Sequence, residues 1–162
     1  MTFRTCDLYD RHGEQLRVLP PLFRDFGGRP RFAGTVVTVK CFEDNSRIKE
    51  LLATAGAGKV LLVDGGGSDR CALMGDQIAA AASSNGWEGV VICGYVRDLA
   101  ALRELPLGIR ALGAIPRKSQ RRGAGTIQEE IAIAGVTCRP GDQLFADEDG
   151  IVLLDPISTM PT

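Results

Sequence analysis

Lys59-Val-Leu-Leu-Val-Asp64 and Gly89-Val-Val-Ile-Cys-Gly94 are two short, continuously apolar runs, and their reading decides the fold. A strand with an apolar residue at nearly every position is buried on both faces, as parallel strands inside an α/β sheet are. The segment between them, Met74 to Ser84, carries Met74, Ile78, Ala81 and Ala82 at helical spacing and predicts a helix. Upstream, Ala33-Gly-Thr-Val-Val-Thr-Val-Lys40 is rich in β-branched residues and predicts a third strand. Asn45-Ser46 then signals a helix start, Ile48, Leu51, Leu52 and Ala55 form its apolar face, and Gly56 and Gly58 end it. A short helix is expected from Leu99 to Leu105. Strands and helices alternating at this spacing imply right-handed crossovers and parallel pairing.

The flanks read differently. Pro20-Pro21 and Gly27-Gly28-Arg29-Pro30 mark the first 30 residues as an irregular lead-in. In the last third, Ile109 to Ile115, Ile127 to Ile133, Val136 to Cys138, Gln143 to Phe145 and Ile151 to Leu154 predict short strands, with no helix of any length. The expectation is an α/β fold, with parallel βαβ units in the centre and a β-rich C-terminal half, as one domain over residues 1–162.

Composition excludes several functions. With 19 Lys and Arg against 20 Asp and Glu, the formal net charge of -1 leaves no basic footprint, so no direct nucleic-acid partner is expected. The one histidine, His12, lies in the polar stretch Tyr9 to Gln15, so Ser-His-Asp triads and multi-histidine zinc sites are excluded and any metal would be held by oxygen. Cys6, Cys41, Cys71, Cys93 and Cys138 form no CxxC pair and read as reduced, mostly buried thiols. Arg4 and Asp7 interrupt any apolar start, and the apolar runs are too short to span a bilayer. A cytoplasmic protein with no membrane partner is the expectation.

Ligand sites in α/β sheets gather at the carboxyl ends of parallel strands. Here those ends carry Asp64-Gly-Gly-Gly-Ser68, Gly75-Asp-Gln-Ile78 and Tyr95-Val-Arg-Asp98. A helix N-terminus at Gly75, Asp76, Gln77 and Ile78 offers unpaired amides and a positive dipole end to a small carboxylate. Arg97 adds a planar, permanently charged fork. Asp98 is a hard oxygen ligand suited to Mg²⁺ or Mn²⁺, and Asp76 can hold the ion's waters. The glycines at 65 to 67 and 75 suit close backbone approach of a small ligand. Each feature alone has an ordinary structural role; together they point to a small-anion site with a metal. GxxxxGK[ST] and GxGxxG patterns are absent, which argues against nucleotide binding. Lys40 would form a Schiff base only if buried; otherwise it snorkels from a strand end.

Phe26-Gly-Gly-Arg29, Thr38-Val-Lys-Cys-Phe-Glu-Asp-Asn45, Val63-Asp-Gly-Gly-Gly-Ser68, Asn85-Gly-Trp-Glu-Gly89 and Gly141-Asp-Gln-Leu-Phe-Ala-Asp-Glu-Asp-Gly-Ile151 together resemble the RraA-like family. The family contains the regulator of ribonuclease activity A and the metal-dependent 4-hydroxy-4-methyl-2-oxoglutarate aldolases. The resemblance, which covers nearly the whole chain, implies a swivelling β/β/α sandwich and a ring-shaped homotrimer with sites at subunit interfaces. Aldolase-type members carry an Asp, twenty intervening residues, then Arg-Asp; here Asp76 is followed by residues 77 to 96 and then Arg97-Asp98.

By that resemblance Asp98 ligates the divalent metal, Asp76 supports its water shell, and Arg97 with the backbone from Gly75 to Ile78 holds the pyruvoyl carboxylate. The implied activity is cleavage of 4-hydroxy-4-methyl-2-oxoglutarate to two pyruvates, with oxaloacetate decarboxylation through the same pyruvate enolate. A metal-bound water ordered by Asp76 is the expected base. The alternative is a non-enzymatic regulator that binds and inhibits ribonuclease E. Longer aldolases of the family also use an acidic residue from a C-terminal extension of the neighbouring subunit; in this sequence Asp147, Glu148 or Asp149 would take that role, or the role is absent.

Overall fold

The structure, a computed structural model, describes residues 2–156. In chain order its elements are α1 (Thr5–His12), β1 (Arg17–Val18), β2 (Arg24–Asp25), β3 (Phe32–Lys40), α2 (Ser46–Leu52), β4 (Lys59–Asp64), β5 (Ala72–Met74) and α3 (Asp76–Ser84). There follow β6 (Gly89–Val96), α4 (Leu99–Leu102), β7 (Gly108–Ala114), β8 (Thr126–Ile127), β9 (Ile131–Ile133), β10 (Val136–Cys138), β11 (Gln143–Asp147) and β12 (Gly150–Leu154).

The main sheet runs β1-β12-β11-β3-β4-β6-β7-β2, with β5 added on β6 and β8 on β3. Pairs among β3, β4, β6 and β7 are parallel, as is that of β5 with β6, and the remaining pairs of the sheet are antiparallel. This is the expected α/β class, with parallel βαβ units in the centre and a β-rich C-terminal half.

Alternation along the central strands explains why they read as apolar throughout. Val37, Val39, Leu61, Val63, Val90 and Ile92 face one core, closed by Ile48 and Leu52 of α2, Ile78, Ala79 and Ala82 of α3 and Leu102 of α4. Val36, Val60, Leu62 and Val91 face a second core, closed by Ile131, Ile133 and Cys138 of the β9–β10 hairpin and by Leu144, Ala146, Ile151 and Leu153 of β11 and β12. Helices therefore cover one face and strands the other, giving the three layers of a β/β/α sandwich. Leu61 and Leu62 are neighbours in sequence and fully buried in different cores; burial of each side chain stabilises the fold by about 2 kcal/mol.

Five expectations are corrected. Residues 5 to 12 are helical, although α1 buries only Thr5 and so shows no apolar stripe. Its N-terminus is held from the far end of the chain: Asp147 accepts from the Thr5 amide and from its hydroxyl, both at 2.7 Å. Helix α2 stops at Leu52, before the glycines, and tertiary donors meet the carbonyls of its last residue and of the turn that follows. Asn85 Nδ2 donates to Leu52 O and Trp87 Nε1 to Thr54 O. Met74 belongs to β5, not to a helix; Ala72, Leu73 and Met74 are all buried beside β6. Helix α4 ends at Leu102, with turn residues leading to Pro106. The run from Ile127 to Ile133 is two strands, broken where Gln128 adopts φ 56°. Strand β8 then pairs with β3 and β9 with β10.

Candidate functional site

At the carboxyl ends of β5 and β6 lies an open cleft of about 460 Å³. Gly75, Asp76, Gln77, Ile78, Arg97 and Asp98 all line it, together with Asn45, Lys118, Ser119 and Arg121. Two short connections bring the sequence-distant groups together. Strand β5 passes directly through Gly75 into α3, and β6 ends by delivering Arg97 and Asp98 alongside, with the Arg97 amide donating to Met74 O at 3.0 Å.

Asp98 is the pivot. Its backbone is left-handed, φ 64° and ψ 45°, a conformation Asp tolerates better than most residues. From there its Oδ2 accepts the Asp76 amide at 3.0 Å. The first free N–H of α3 is thus capped by a carboxylate from the next strand, where the helix dipole favours negative charge. The anion cradle expected at Gly75 to Ile78 is correspondingly narrower: Asp98 already takes the Asp76 amide, leaving Gln77 and Ile78 at the helix start. Arg97 Nε stands 3.8 Å from the same Asp98 oxygen, and among the described residues its guanidinium makes no hydrogen bond. Gly75 permits this packing, since a Cβ there would lie 2.5 Å from Asp98 Oδ2 and 3.0 Å from Arg97 Cγ.

Across the cleft stands the segment 117–121, stitched on two sides. Ala72 N–H donates to Arg117 O, Asn45 N–H to Gln120 O, and Gln120 N–H to Glu43 O. Asn45, nearly fully buried, donates through Nδ2 to Leu73 O and accepts from Arg121 Nε, both at 3.1 Å. Next to it buried Asp44 accepts the amides of Ser46 and Arg122. Burial alone would raise the Asp44 pKa, but these bonds and one from the Ala124 amide outweigh it and hold the carboxyl down at about 2.

In the sequence Asn45 reads as a helix-start residue, and Lys118, Ser119 and Arg121 carry no functional signature. No periodicity marks them; the available signal was four cations within Arg117-Lys-Ser-Gln-Arg-Arg122, in a stretch with no regular element.

Other expected groups lie elsewhere. Gly65 to Gly67 do not line the cleft; the amides of Gly65 and Gly67 both donate to Cys93 O, which folds the loop back on β6. Lys40 is exposed at the end of β3, without the burial a Schiff-base lysine needs. Asp147 is buried under Thr5, and its neighbour Ala146 pairs with Phe32 at the start of β3, the opposite end from the cleft. The Asp147 to Asp149 turn therefore cannot serve the cleft of its own chain. His12 ends α1, outside the cleft. All five cysteines are free, Cys41, Cys71 and Cys138 buried; burial pushes the Cys41 and Cys138 thiols up to about 12, so neither is a nucleophile. A larger cavity of about 640 Å³ between Phe3, Arg31, Gly34 and Phe145 has one acid, Glu88, already 3.3 Å from Arg29.

No group of three or more His, Cys, Asp or Glu is placed to hold a metal among the described residues. Asp98 and Asp76 do suit a cation that takes one or two protein carboxylates and keeps its waters, the habit of Mg²⁺ rather than zinc. Asp98 Oδ1 makes no hydrogen bond among the described residues, and both side chains border the cleft. No helix among the described residues is long and apolar enough to cross a membrane.

Comparison with known proteins agrees with this architecture. A protein from Laribacter hongkongensis named "Putative 4-hydroxy-4-methyl-2-oxoglutarate aldolase" is 52% identical over 152 residues, 94% of this chain and 96% of its own length. One of the same name from Alkalilimnicola ehrlichii is 54% identical over 153 residues, covering 94% of this chain and 95% of its own. Among solved structures, one described as the RNA-processing inhibitor RraA from Thermus thermophilis superposes with a TM-score of 0.92 at 49% identity, covering 96% of this chain and 94% of its own. The profile of the RraA-like family, described as Aldolase/RraA, matches residues 5–153. This chain belongs to the RraA-like family.

Proposed function

We propose that the protein is a divalent-metal-dependent lyase that cleaves 4-hydroxy-4-methyl-2-oxoglutarate to two pyruvates and decarboxylates oxaloacetate. The observation that carries this reading is the convergence of Asp76, Arg97 and Asp98 on one cleft at the strand ends. Two relatives bearing the aldolase name, at 52% and 54% identity, support it.

The Arg97 fork and the amides at the start of α3 bind the 2-keto-acid carboxylate and fix the plane of the adjacent carbonyl. Asp98 would hold Mg²⁺ or Mn²⁺, which would supply Lewis-acid stabilisation of negative charge developing on the keto oxygen. Asp76, exposed on the first turn of α3, orders the water that accepts the C4 hydroxyl proton. The C3–C4 bond then breaks; its electron pair forms the enolate of one pyruvate while C4 becomes the carbonyl of the other. Returning a proton to C3 completes the balance. Oxaloacetate gives the same enolate by losing CO₂, so both reactions share one oxyanion and one set of residues.

The test is pyruvate release from both substrates, with EDTA and with added Mg²⁺ or Mn²⁺, on the parent protein and on Asp98→Asn. The amide oxygen of Asn can still accept from the Asp76 amide, so the cap on α3 survives while the charge is lost. Expected is metal-dependent release that falls at least about 100-fold in the variant, with thermal unfolding shifted by less than about 3 °C. An active Asp98→Asn, or a parent that releases no pyruvate, overturns the reading.

The 49% identity to a structure described as an RNA-processing inhibitor favours a second reading, a regulator that binds ribonuclease E. Binding to ribonuclease E that is indifferent to Asp98→Asn, in a protein without turnover, would select it.

A further inference from the structure

The cavity of about 640 Å³ at the start of β3, away from the cleft, takes no part in the proposed chemistry. Three aromatic rings shape it. Phe32 lies over Gly89 and Gly108, which oppose each other on β6 and β7. A Cβ at Gly108 would stand 2.0 Å from that ring and one at Gly89 2.3 Å, so glycine at both positions makes room for it. Facing it are Phe3 and Phe145, half-buried rings in an edge-to-face pair with centroids 5.3 Å apart. Arg31 holds Phe3 in place, donating to Phe3 O at 3.0 Å and standing 5.7 Å from the ring centre. The aromatic surface is thus fixed before any ligand arrives, which lowers the cost of binding one.

Charge around the cavity is balanced. Arg29 pairs with Glu88 at 3.3 Å and Arg31 with Glu148 at 3.1 Å. Both Glu88 oxygens are engaged, the second by the Gly58 amide at 3.2 Å. A charged ligand would compete with an existing pair, whereas a neutral one leaves both intact. Two lining residues keep unused hydrogen-bonding groups among the described residues. Arg29 spends only Nη1, leaving Nε and Nη2 as donors. Gln143 gives its amide nitrogen to Thr35 Oγ1 and Gly141 O, leaving its carbonyl oxygen as an acceptor. Apolar walls with a few placed polar groups are what small-molecule sites present.

We infer that this cavity is a second ligand site, for a neutral, planar heteroaromatic lactam of about two fused rings. Its rings pack against Phe3 and Phe145, its carbonyl accepts from Arg29, and its ring N–H donates to Gln143 Oε1. The site shares no residue with the cleft, so it stands or falls independently of the proposed lyase activity.

The experiment titrates the protein at pH 8 with three probes by saturation-transfer NMR: 2-quinolone, quinoline, which lacks the carbonyl and the N–H, and quinoline-2-carboxylate, which adds a charge. The parent is expected to bind 2-quinolone saturably and about tenfold or more tightly than either of the others, the range of two net hydrogen bonds. Arg29→Met should bring 2-quinolone to within about threefold of quinoline. Ala33 also lines the cavity, at the β3 position paired with Phe145; Ala33→Leu fills the space without removing a polar group and should abolish saturable binding of 2-quinolone in a protein that still melts cooperatively. No saturable binding by the parent, the result if a second copy of the chain covers the mouth, overturns the inference. So do equal affinities for 2-quinolone and quinoline, a preference for the carboxylate, or binding undiminished in Ala33→Leu.

Discussion

Gly75→Ala is the sharpest test of the cleft, because it adds one carbon and changes no charge. The backbone at Gly75 has φ -126° and ψ -161°, an extended conformation that alanine adopts without strain. The new methyl carbon would meet Asp98 Oδ2 at 2.5 Å and Arg97 Cγ at 3.0 Å, against 3.4 Å for ordinary contact. Restoring that contact moves the carboxylate by about 0.9 Å. The 3.0 Å bond from the Asp76 amide then stretches to about 3.9 Å, beyond hydrogen-bond range. Losing this cap costs about 1 kcal/mol, and the reduced freedom of the unfolded chain offsets about half of it. Thermal unfolding should therefore shift by less than about 4 °C. Displacing the two functional side chains by close to an ångström should lower pyruvate release about 100-fold. The assay is coupled detection of pyruvate beside a thermal melt of the same preparation. Turnover within threefold of the parent, at an unchanged melting temperature, would refute the claim that Asp98 and Arg97 must sit where Gly75 lets them.

Two further outcomes follow from the same geometry. Arg97→Lys replaces a planar fork by a point charge, so KM for both keto acids should rise about tenfold while kcat changes less; steady-state kinetics check this, and an unchanged KM contradicts the carboxylate role. Asp44 holds its proton less tightly in the fold, at about 2 against 3.8. Its contribution is thus present above pH 4 and lost as the pH falls through 2, and amounts to about 2 kcal/mol. Asp44→Asn should be less stable than the parent by about that amount in urea at pH 7, with the gap closing towards pH 2. A gap independent of pH would remove Asp44 from the account.

What was legible in the sequence follows what burial imprints on it. Val60 to Val63 and Val90 to Ile92 announce themselves because helices cover one face and strands the other, so no position on them is free to be polar. Helix α1 left no such imprint: its stability comes from Asp147, 142 residues away, and a tertiary cap has no local signature. The same distinction divides the site. Asp76, Arg97 and Asp98 sit beside regular elements, so strand ends located them. Lys118 and Arg121 sit in a connection whose path is set by Asp44, Asn45 and Ala72, residues that reveal the contact only once β5 is seen as a strand. Reading Met74 as helical concealed that strand, and with it the second wall of the cleft.

Asp98 cannot by itself decide between an enzyme and a regulator. It has a structural duty that any member of this fold could require, since its carboxylate caps α3 whether or not chemistry takes place there. Asp76 has a similar excuse as an acid on the first turn of a helix. The guanidinium of Arg97 has none: it is about one-third exposed, approaches Asp98 only at 3.8 Å, and makes no hydrogen bond among the described residues. Holding a long cation over a cleft without a fixed partner contributes little to the fold, and the keto-acid carboxylate of the proposed function would supply that partner. That makes Arg97, more than either carboxylate, the residue on which the enzymatic reading stands.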